Sequence, residues 1–344
     1  MGQKKRSTIS DVARLAGVSI TTVSRVMNRN YPVREETREK VEKAIEELGF
    51  KPNLLARGLI HNKTQTIGII TPSIENLFFS EVVKGIDSVI KEKGYTTFLS
   101  NTEGNAEQER LMIENMKDRS VDGIICINPR TKNIKSGYYE SVSKQIPLVI
   151  INGYNKGIHC NYVLNDGEVG TYEALKYLYE LGHREIAFLR GQYSYSYDVK
   201  ENVYRQFCDE YRLDYKEENI LVVEDGNGLE TVEQSKALVE KVIEENRRFS
   251  CLFACNDWMA VGALNAAKAL NISVPEDFSI IGFDNTIISQ ITEPRLTTVD
   301  QNMTRLGQIS GNRICEMIQD KDIEIKKIII ETKLIKRESS KELN

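Results

Sequence analysis

The stretch Thr8-Ile9-Ser10-Asp11-Val12-Ala13-Arg14-Leu15-Ala16-Gly17-Val18-Ser19-Ile20-Thr21-Thr22-Val23-Ser24-Arg25-Val26-Met27-Asn28 decides how the chain begins. Thr8 offers a side-chain oxygen as N-cap with Asp11 three residues on, Ile9, Val12, Ala13 and Ala16 form an apolar stripe, and Gly17 supplies a left-handed exit. The pattern predicts a helix over 9–16. Ser19 caps a second helix, Ile20 to about Met27, in which Val23, Val26 and Met27 face the first helix while Thr21, Thr22, Ser24, Arg25 and Asn28 stay polar. That is the spacing of a helix-turn-helix. A third helix from Glu35 to Leu48 buries Val41, Ala44, Ile45 and Leu48 and ends at Gly49.

A helix-turn-helix places the N-terminus of its second helix in the major groove of DNA, where short side chains allow close approach to base edges. Arg25 is the candidate for bidentate reading of guanine O6 and N7, a pairing that discriminates by ~1 to 3 kcal/mol; its alternative is a surface ion pair with an acid. Ile20 and Thr21 suit a thymine methyl or a base edge, and Thr22, Ser24 and Asn28 suit phosphates. Thr8 and Ser19, at the two helix starts, complete this set of candidate DNA contacts.

Charge points the same way. Residues 1–63 hold 13 Lys/Arg against 7 Asp/Glu, whereas the rest of the 344-residue chain holds 33 against 43. A basic head on an acidic body is what phosphate binding at one end requires, although a solvated basic helix face gives the same count. The length exceeds what one core holds, so two or three packed units are expected. No apolar run approaches the ~18 residues of a membrane helix, and Met1 to Ser10 is polar and basic, unlike a secretory leader; the expected compartment is the cytoplasm. Six scattered cysteines without a CxxC pair read as buried free thiols, and three distant histidines predict no metal site; no cofactor is expected.

From Thr66 onward apolar β-rich runs alternate with amphipathic helical stretches. Strands are predicted at 67–71, 96–100, 123–127 and 148–151 with helices near 79–93 and 105–117. A second set has strands near 162–164, 186–190, 220–224, 251–254 and 279–282 and helices near 168–181, 200–211, 231–245 and 257–269. The end adds a short strand, a helix near 303–319 and a final strand near 327–335. The fold class is thus α/β: a helical head followed by two doubly wound parallel-sheet lobes, with the chain crossing between lobes more than once. The expected lobes are about 64–161 plus 293–323 and about 162–292 plus 324–338, with a polar tail at 339–344.

In such sheets ligands bind beyond the carboxyl ends of the strands. The candidates there are Ser73, Phe78, Phe79, Asn101, Arg190, the tyrosine-rich loop with Tyr193, Tyr195 and Tyr197, the Asp257–Trp258 pair and Asp284. Carboxylates that accept from hydroxyls, beside aromatic faces, suit a small polar ligand such as a sugar or nucleobase. Asp257 as a plain helix cap and the phenylalanines as core are the structural alternatives.

The string Thr8 to Ala13, Ala16-Gly17-Val18-Ser19 and Thr22 to Asn28, extended by Thr37-Arg38-Glu39-Lys40-Val41 and by Pro52-Asn53, Ala56 and Leu59, resembles the headpiece of the lactose and galactose repressor family. The likeness continues through Leu181-Gly182-His183-Arg184-Glu185-Ile186, Cys255 to Ala260, Gly282-Phe283-Asp284 and Pro294 to Val299, so it spans nearly the whole chain. The resemblance implies a headpiece over 1–52, a hinge over 53–63 and an effector-binding, dimerising body over 64–338 that is similar to periplasmic sugar-binding proteins. It also implies a homodimer or tetramer on near-palindromic operator DNA, with a small polar effector of the carbohydrate class. In the hinge it implies that Asn53, Ala56 and Leu59 meet DNA, Leu59 as a wedge in the minor groove and Ala56 keeping paired helices close. Gly58 weakens so short a helix by ~1 kcal/mol relative to Ala, which makes its ordering depend on DNA.

Four positions depart from the family's pattern. Arg34 stands where a Ser often caps the third helix, and Leu77 replaces the proline of the run at Asn76 to Phe79. Val203 and Gln206 replace the arginine and glycine expected before Phe207, which leaves Lys200 or Arg205 as substitutes. Two other function classes fit the sequence poorly. A solute-binding transport component has no use for residues 1–63, and an α/β enzyme would need a phosphate loop, a GxSxG elbow or a metal cluster, none of which is visible.

Overall fold

A computed structural model describes residues 7–28, 31–50, 63–154, 156–192, 194–213, 215–224, 226–245, 249–320 and 322–343. The chain divides into two compact units, Met1–Thr64 and Gln65–Asn344.

The first unit holds three helices. In α1 (Ile9–Ala16) the Thr8 hydroxyl accepts from the Asp11 amide while the Asp11 carboxylate accepts from the Thr8 amide, a reciprocal capping box, and Gly17 leaves at φ 67°. The Ser19 hydroxyl accepts from the Thr22 amide at the start of α2 (Ile20–Asn28). α3 (Glu35–Glu47) begins at Arg34 without a side-chain cap, and Glu35 and Glu36 occupy its first turn where the helix dipole favours them. Val12, Ala13, Val23, Val26, Val41 and Ala44 form the buried core, with Ala16, Met27, Ile45 and Leu48 packed at its margin.

In the second unit, two six-stranded sheets stand in separate lobes. The first is built from β1 (Thr66–Thr71), β2 (Thr96–Asn101), β3 (Gly123–Ile127), β4 (Leu148–Ile151), β5 (Asn161–Asn165) and β11 (Lys327–Ile330), ordered β11-β5-β4-β3-β1-β2 and parallel throughout. α4 (Leu77–Glu92), α5 (Ala106–Asp118), the short α6 (Thr131–Lys135) and α7 (Tyr138–Ser143), and α13 (Met303–Gln319) belong to it. Strands β6 (Ile186–Gly191), β7 (Ile220–Val223), β8 (Cys251–Ala254), β9 (Ser279–Asp284), β10 (Thr297–Asp300) and β12 (Lys333–Ile335) make the second sheet, ordered β12-β10-β9-β8-β6-β7, with only β12 antiparallel. Its helices are α8 (Gly167–Glu180), α9 (Tyr195–Glu210), α10 (Glu230–Glu244), α11 (Asp257–Ala269) and the single turn α12 (Ile288–Ile291). Central strands are buried along their whole length, as strands covered on both faces by helices must be.

The lobe boundaries expected from the sequence need correction. Strand 161–165, placed there in the second lobe, pairs with β4 in the first, because the Asn161 carboxamide oxygen is held by the buried Arg313 guanidinium and the Lys326 amide, both on the first lobe's return segment. Strand 297–300, placed in the first lobe, pairs with β9 in the second. The single final strand expected over 327–335 is two strands, one per sheet, separated at Glu331 and Thr332. A strand's own residues fix its burial but not which sheet edge it joins. The expected polar tail is also part of the second lobe: the Ser339 hydroxyl donates to the Ile280 carbonyl and accepts from the Thr297 amide, and the Leu343 amide donates to the Leu181 carbonyl. Its polar residues act as partners for strand backbone.

All six cysteines are buried and unpaired. Among the described residues no helix is long and apolar enough to cross a membrane, and no cluster of His, Cys, Asp or Glu could hold a metal ion.

Candidate nucleic-acid face and interlobe cleft

On α2 the packing of Val23 and Val26 turns Ile20, Thr21 and Arg25 outward, with Ile20 49% exposed although apolar. Arg25 has no acidic partner among the described residues; its guanidinium lies 5.0 Å from the ring centre of Tyr31, itself 62% exposed. A cation resting on an exposed ring gives up little when it leaves for a base edge. Thr8 is exposed but its hydroxyl is engaged with Asp11, and Ser19 and Thr22 share a 2.9 Å hydroxyl bond. Ser24 is half-buried. The side chain of Asn28, all of Asn53, Ala56 and Leu59, and Tyr193 lie outside the described residues.

Within the second unit a cleft opens between the carboxyl ends of the two sheets. The first lobe lines it with Asn76, Phe78 and Phe79 after β1, Asn128 after β3 and Asn152 after β4; the second with Ser194, Ser196, Tyr197, Lys200, Asn227, Cys255, Asn256 and Asp284, and Gln301 enters from the crossover after β10. Asn128 (φ 47°) and Asn152 (φ 61°) take the left-handed conformation that asparagine tolerates best after glycine. The buried Asn128 Oδ1 has no hydrogen-bond partner among the described residues. Asn76 caps α4, and Phe78 meets Phe79 edge-on at 5.3 Å. Opposite, Asn256 caps α11 through the Met259 amide and donates to Gly226 O at 2.6 Å, where Tyr197 also donates.

Two charged groups form the cleft floor. The Lys200 ammonium, 3% exposed as a residue, donates to Ser196 Oγ and the Cys255 carbonyl, both at 3.1 Å, and sits 3.9 Å above the Phe283 ring. Burial pulls its pKa down, opposed by Asp284 among its neighbours. Asp284 is held at φ 125° and accepts from Gln301 Nε2, whose own carboxamide oxygen accepts from Asn165. Burial, then the charge of Asp257, push the Asp284 carboxyl well up, while Lys200 and Gln301 pull the other way. The cleft thus offers a ligand the Lys200 ammonium as donor and the Asp284 carboxyl as acceptor among amides and aromatic rings.

Of the residues singled out in the sequence, Phe78, Phe79, Tyr197 and Asp284 line the cleft. Ser73 stands at its edge, where its hydroxyl donates across the lobes to the Asn227 carbonyl at 3.3 Å. The others go elsewhere, each for a physical reason. Both Asp257 oxygens are filled by the Thr286 amide and hydroxyl and by the Thr298 hydroxyl, and burial raises its pKa to about 6. The Arg190 guanidinium is spent on Gly191 O, Asp198 and Glu201. Asn101 is exposed and accepts from the Glu103 amide, and half-buried Trp258 lies outside the lining, its Nε1 without a partner among the described residues. Tyr195 opens a helix rather than sitting in a loop, and it lines a neighbouring recess. Val203 packs on the second lobe's core, and Arg205 is clamped by Glu201 and Glu217, so of the two substitutes only Lys200 reaches the cleft. The sequence held the signal for it: Tyr197, Lys200, Tyr204 and Phe207 recur at helical spacing. Asn128 and Asn152 follow strands as Ser73 does and were open to the same argument.

Comparison with known proteins fits both units. Residues 8–53 match the family described as bacterial regulatory proteins, lacI family, and residues 175–340 match the periplasmic binding protein-like domain. The chain is 36% identical to the HTH-type transcriptional repressor PurR of Vibrio atlanticus over 98% of its own length and all of that protein, and 33% identical to catabolite control protein A of Priestia megaterium over 97% and 99%. Among solved structures, a lac repressor dimer bound to operator and the anti-inducer ONPF superposes with a TM-score of 0.88 at 27% identity, covering 98% of this chain and 100% of that one. A complex of the transcriptional regulator CelR with cellobiose gives 0.71 at 26% identity over 97% and 100%. With a helix-turn-helix head, two periplasmic-binding-like lobes and full-length repressor relatives, the chain belongs to the lacI family of bacterial regulatory proteins and is a DNA-binding transcriptional repressor, not an enzyme.

Proposed function

We propose that the protein acts in the cytoplasm as a dimer on a near-palindromic operator, with α2 in the major groove and Arg25 reading guanine, and that a small carbohydrate in the interlobe cleft sets its DNA affinity. The observation that carries the DNA half is the outward Ile20, Thr21 and Arg25 face, whose guanidinium is not spent on an acid among the described residues. Thr22 and Ser24 fit phosphate positions beside it, and Asn53, Ala56 and Leu59 are assigned to the hinge's minor-groove contact. Dimerisation draws support from the operator-bound lac repressor dimer. Closing the lobes on a ligand changes the angle between them, which biases whether paired hinges order on DNA.

The carbohydrate reading rests on the Lys200 and Asp284 floor, which offers one hydroxyl a donor and its neighbour an acceptor, with Phe78 and Phe79 against the ring's apolar face. The cellobiose complex of a structural neighbour supports it. A nucleobase is the second reading, favoured by the amides of Asn76, Asn128, Asn152, Asn227, Asn256 and Gln301, which can match a base edge. Calorimetric titration of the full chain with cellobiose, D-glucose, D-ribose, adenine and uracil separates them. A sugar is expected to give the tightest binding, weakened at least tenfold in Lys200→Met; heat from a base alone, or tight sugar binding that ignores Lys200, contradicts the carbohydrate reading.

A further inference from the structure

Beside the cleft lies a second recess, a cavity of about 210 Å³. Its walls come from both lobes: Asn152 to Tyr154, Leu164 to Glu168, Lys327 and Ile329 from the first lobe and the α8 start, and Tyr195, Ser196 and Val199 from the second. It shares only Asn152 and Ser196 with the cleft, and neither Lys200 nor Asp284 reaches it. The recess follows the β11 edge of the first sheet, the edge opposite β2.

Its chemistry is that of an unfilled site. The hydroxyls of Tyr154 and Tyr195 have no hydrogen-bond partner among the described residues, nor does the exposed carboxylate of Glu168. Lys327 Nζ lies 3.7 Å from the centre of the Tyr154 ring, and that ring stands edge-on to Tyr162, so the cation and the tyrosine are braced together. Asp166, by contrast, is committed as the cap of α8 through the Val169 amide. Leu164, Val199 and Ile329 supply the apolar wall. We propose that this recess is a second small-molecule site that takes a neutral polyhydroxylated ring, with Glu168 accepting from its hydroxyls, Lys327 donating to them, and Tyr195 hydrogen-bonding at the second lobe. A charged ligand fits less well, since Glu168 and Lys327 oppose each other in sign. Because the recess draws on both lobes, an occupant bridges them and favours one interlobe angle, so it acts on the same movement as the cleft without competing for it.

The test uses the full chain and D-glucose, D-ribose and cellobiose at millimolar concentrations in equilibrium dialysis and calorimetry. The proposal predicts that at least one sugar binds Lys200→Met, whose cleft floor is disabled, and that adding Glu168→Gln and Tyr195→Phe in that background weakens this binding about tenfold, the loss expected for a hydrogen bond to a charged group. Unfolding curves establish that each variant is folded. Should Lys200→Met not fold, Glu168→Gln with Tyr195→Phe in the otherwise native chain is read directly, and a weakening of one binding event per chain is expected. No binding of any of the three sugars to folded Lys200→Met, or binding indifferent to Glu168 and Tyr195, overturns the proposal. Sugar binding to the native chain that vanishes in folded Lys200→Met overturns it while leaving the cleft reading intact.

Discussion

Asp257 Oδ1 accepts a 2.6 Å hydrogen bond from the Thr298 hydroxyl, and its other oxygen takes both the amide and hydroxyl of Thr286. One carboxylate at the start of α11 thus ties down the loop after β9 and the strand β10. Asp257 stands against Gly282, where an added Cβ would lie 2.6 Å from Oδ1. The residue is a bolt for the second lobe, distinct from Asp284, which lines the cleft.

That bolt has a pH signature. Burial raises the Asp257 pKa from 3.8 in its ordinary state to about 6 in the fold. The folded chain therefore binds a proton more tightly than the unfolded chain, and this group's contribution to stability falls as pH rises from about 4 to 6, then levels off. Asp257→Asn removes that contribution. Urea unfolding at a series of pH values is expected to give a native-minus-variant stability difference that declines across this window; a difference constant with pH contradicts the assignment.

A second prediction concerns Asp284. Its φ of 125° is a conformation that costs a non-glycine residue about 1 to 3 kcal/mol. Asp284→Gly relieves this strain and removes a buried carboxylate, at about 1 kcal/mol of added chain entropy. The expected outcome is a fold as stable or more stable in urea, with effector binding at the cleft lost. A variant that is destabilised yet still binds would show that Asp284 is structural.

The helix pair of the first lobe gives a third. At Gly307 on α13 an added Cβ would lie 2.1 Å from the Val82 carbonyl on α4 and 2.8 Å from the Ile86 amide. Both obstacles are backbone in a helix and cannot rotate away. Gly307→Ala is expected to lose about 1 to 3 kcal/mol or more, read as a lower urea midpoint, whereas Gly94→Ala, at φ 79° with open space around it, is strained only by its own backbone.

What the sequence disclosed follows from the range of the forces involved. The head was legible in detail because its signals are local: Thr8 and Asp11 cap one turn, Gly17 ends it, and Val23 and Val26 repeat at helical spacing. The two lobes were legible as alternating strands and helices. Which sheet received β5, β10 and β11 was not, since that is decided by partners such as Arg313 for Asn161, 152 positions apart in sequence. The site was half legible for the same reason. Position after a strand found Phe78, Phe79 and Asp284, but it could not tell that Asp257 would be consumed by Thr286 and Thr298, or Arg190 by Asp198 and Glu201. Lys200 and Arg205 stood as equal substitutes for the arginine absent at Val203, and only the fold separates them, since Arg205 is clamped by Glu201 and Glu217 while Lys200 lines the cleft.

The most direct test of the account is selection of bound duplexes from a random pool by the full-length protein, with Arg25→Ala and Leu59→Ala in parallel. The account predicts a near-palindromic motif for the native chain, loss of a guanine in each half-site for Arg25→Ala at ~1 to 3 kcal/mol of discrimination, and loss of preference at the central step for Leu59→Ala. A motif that keeps its guanines without Arg25, or no motif at low and moderate salt, would contradict it.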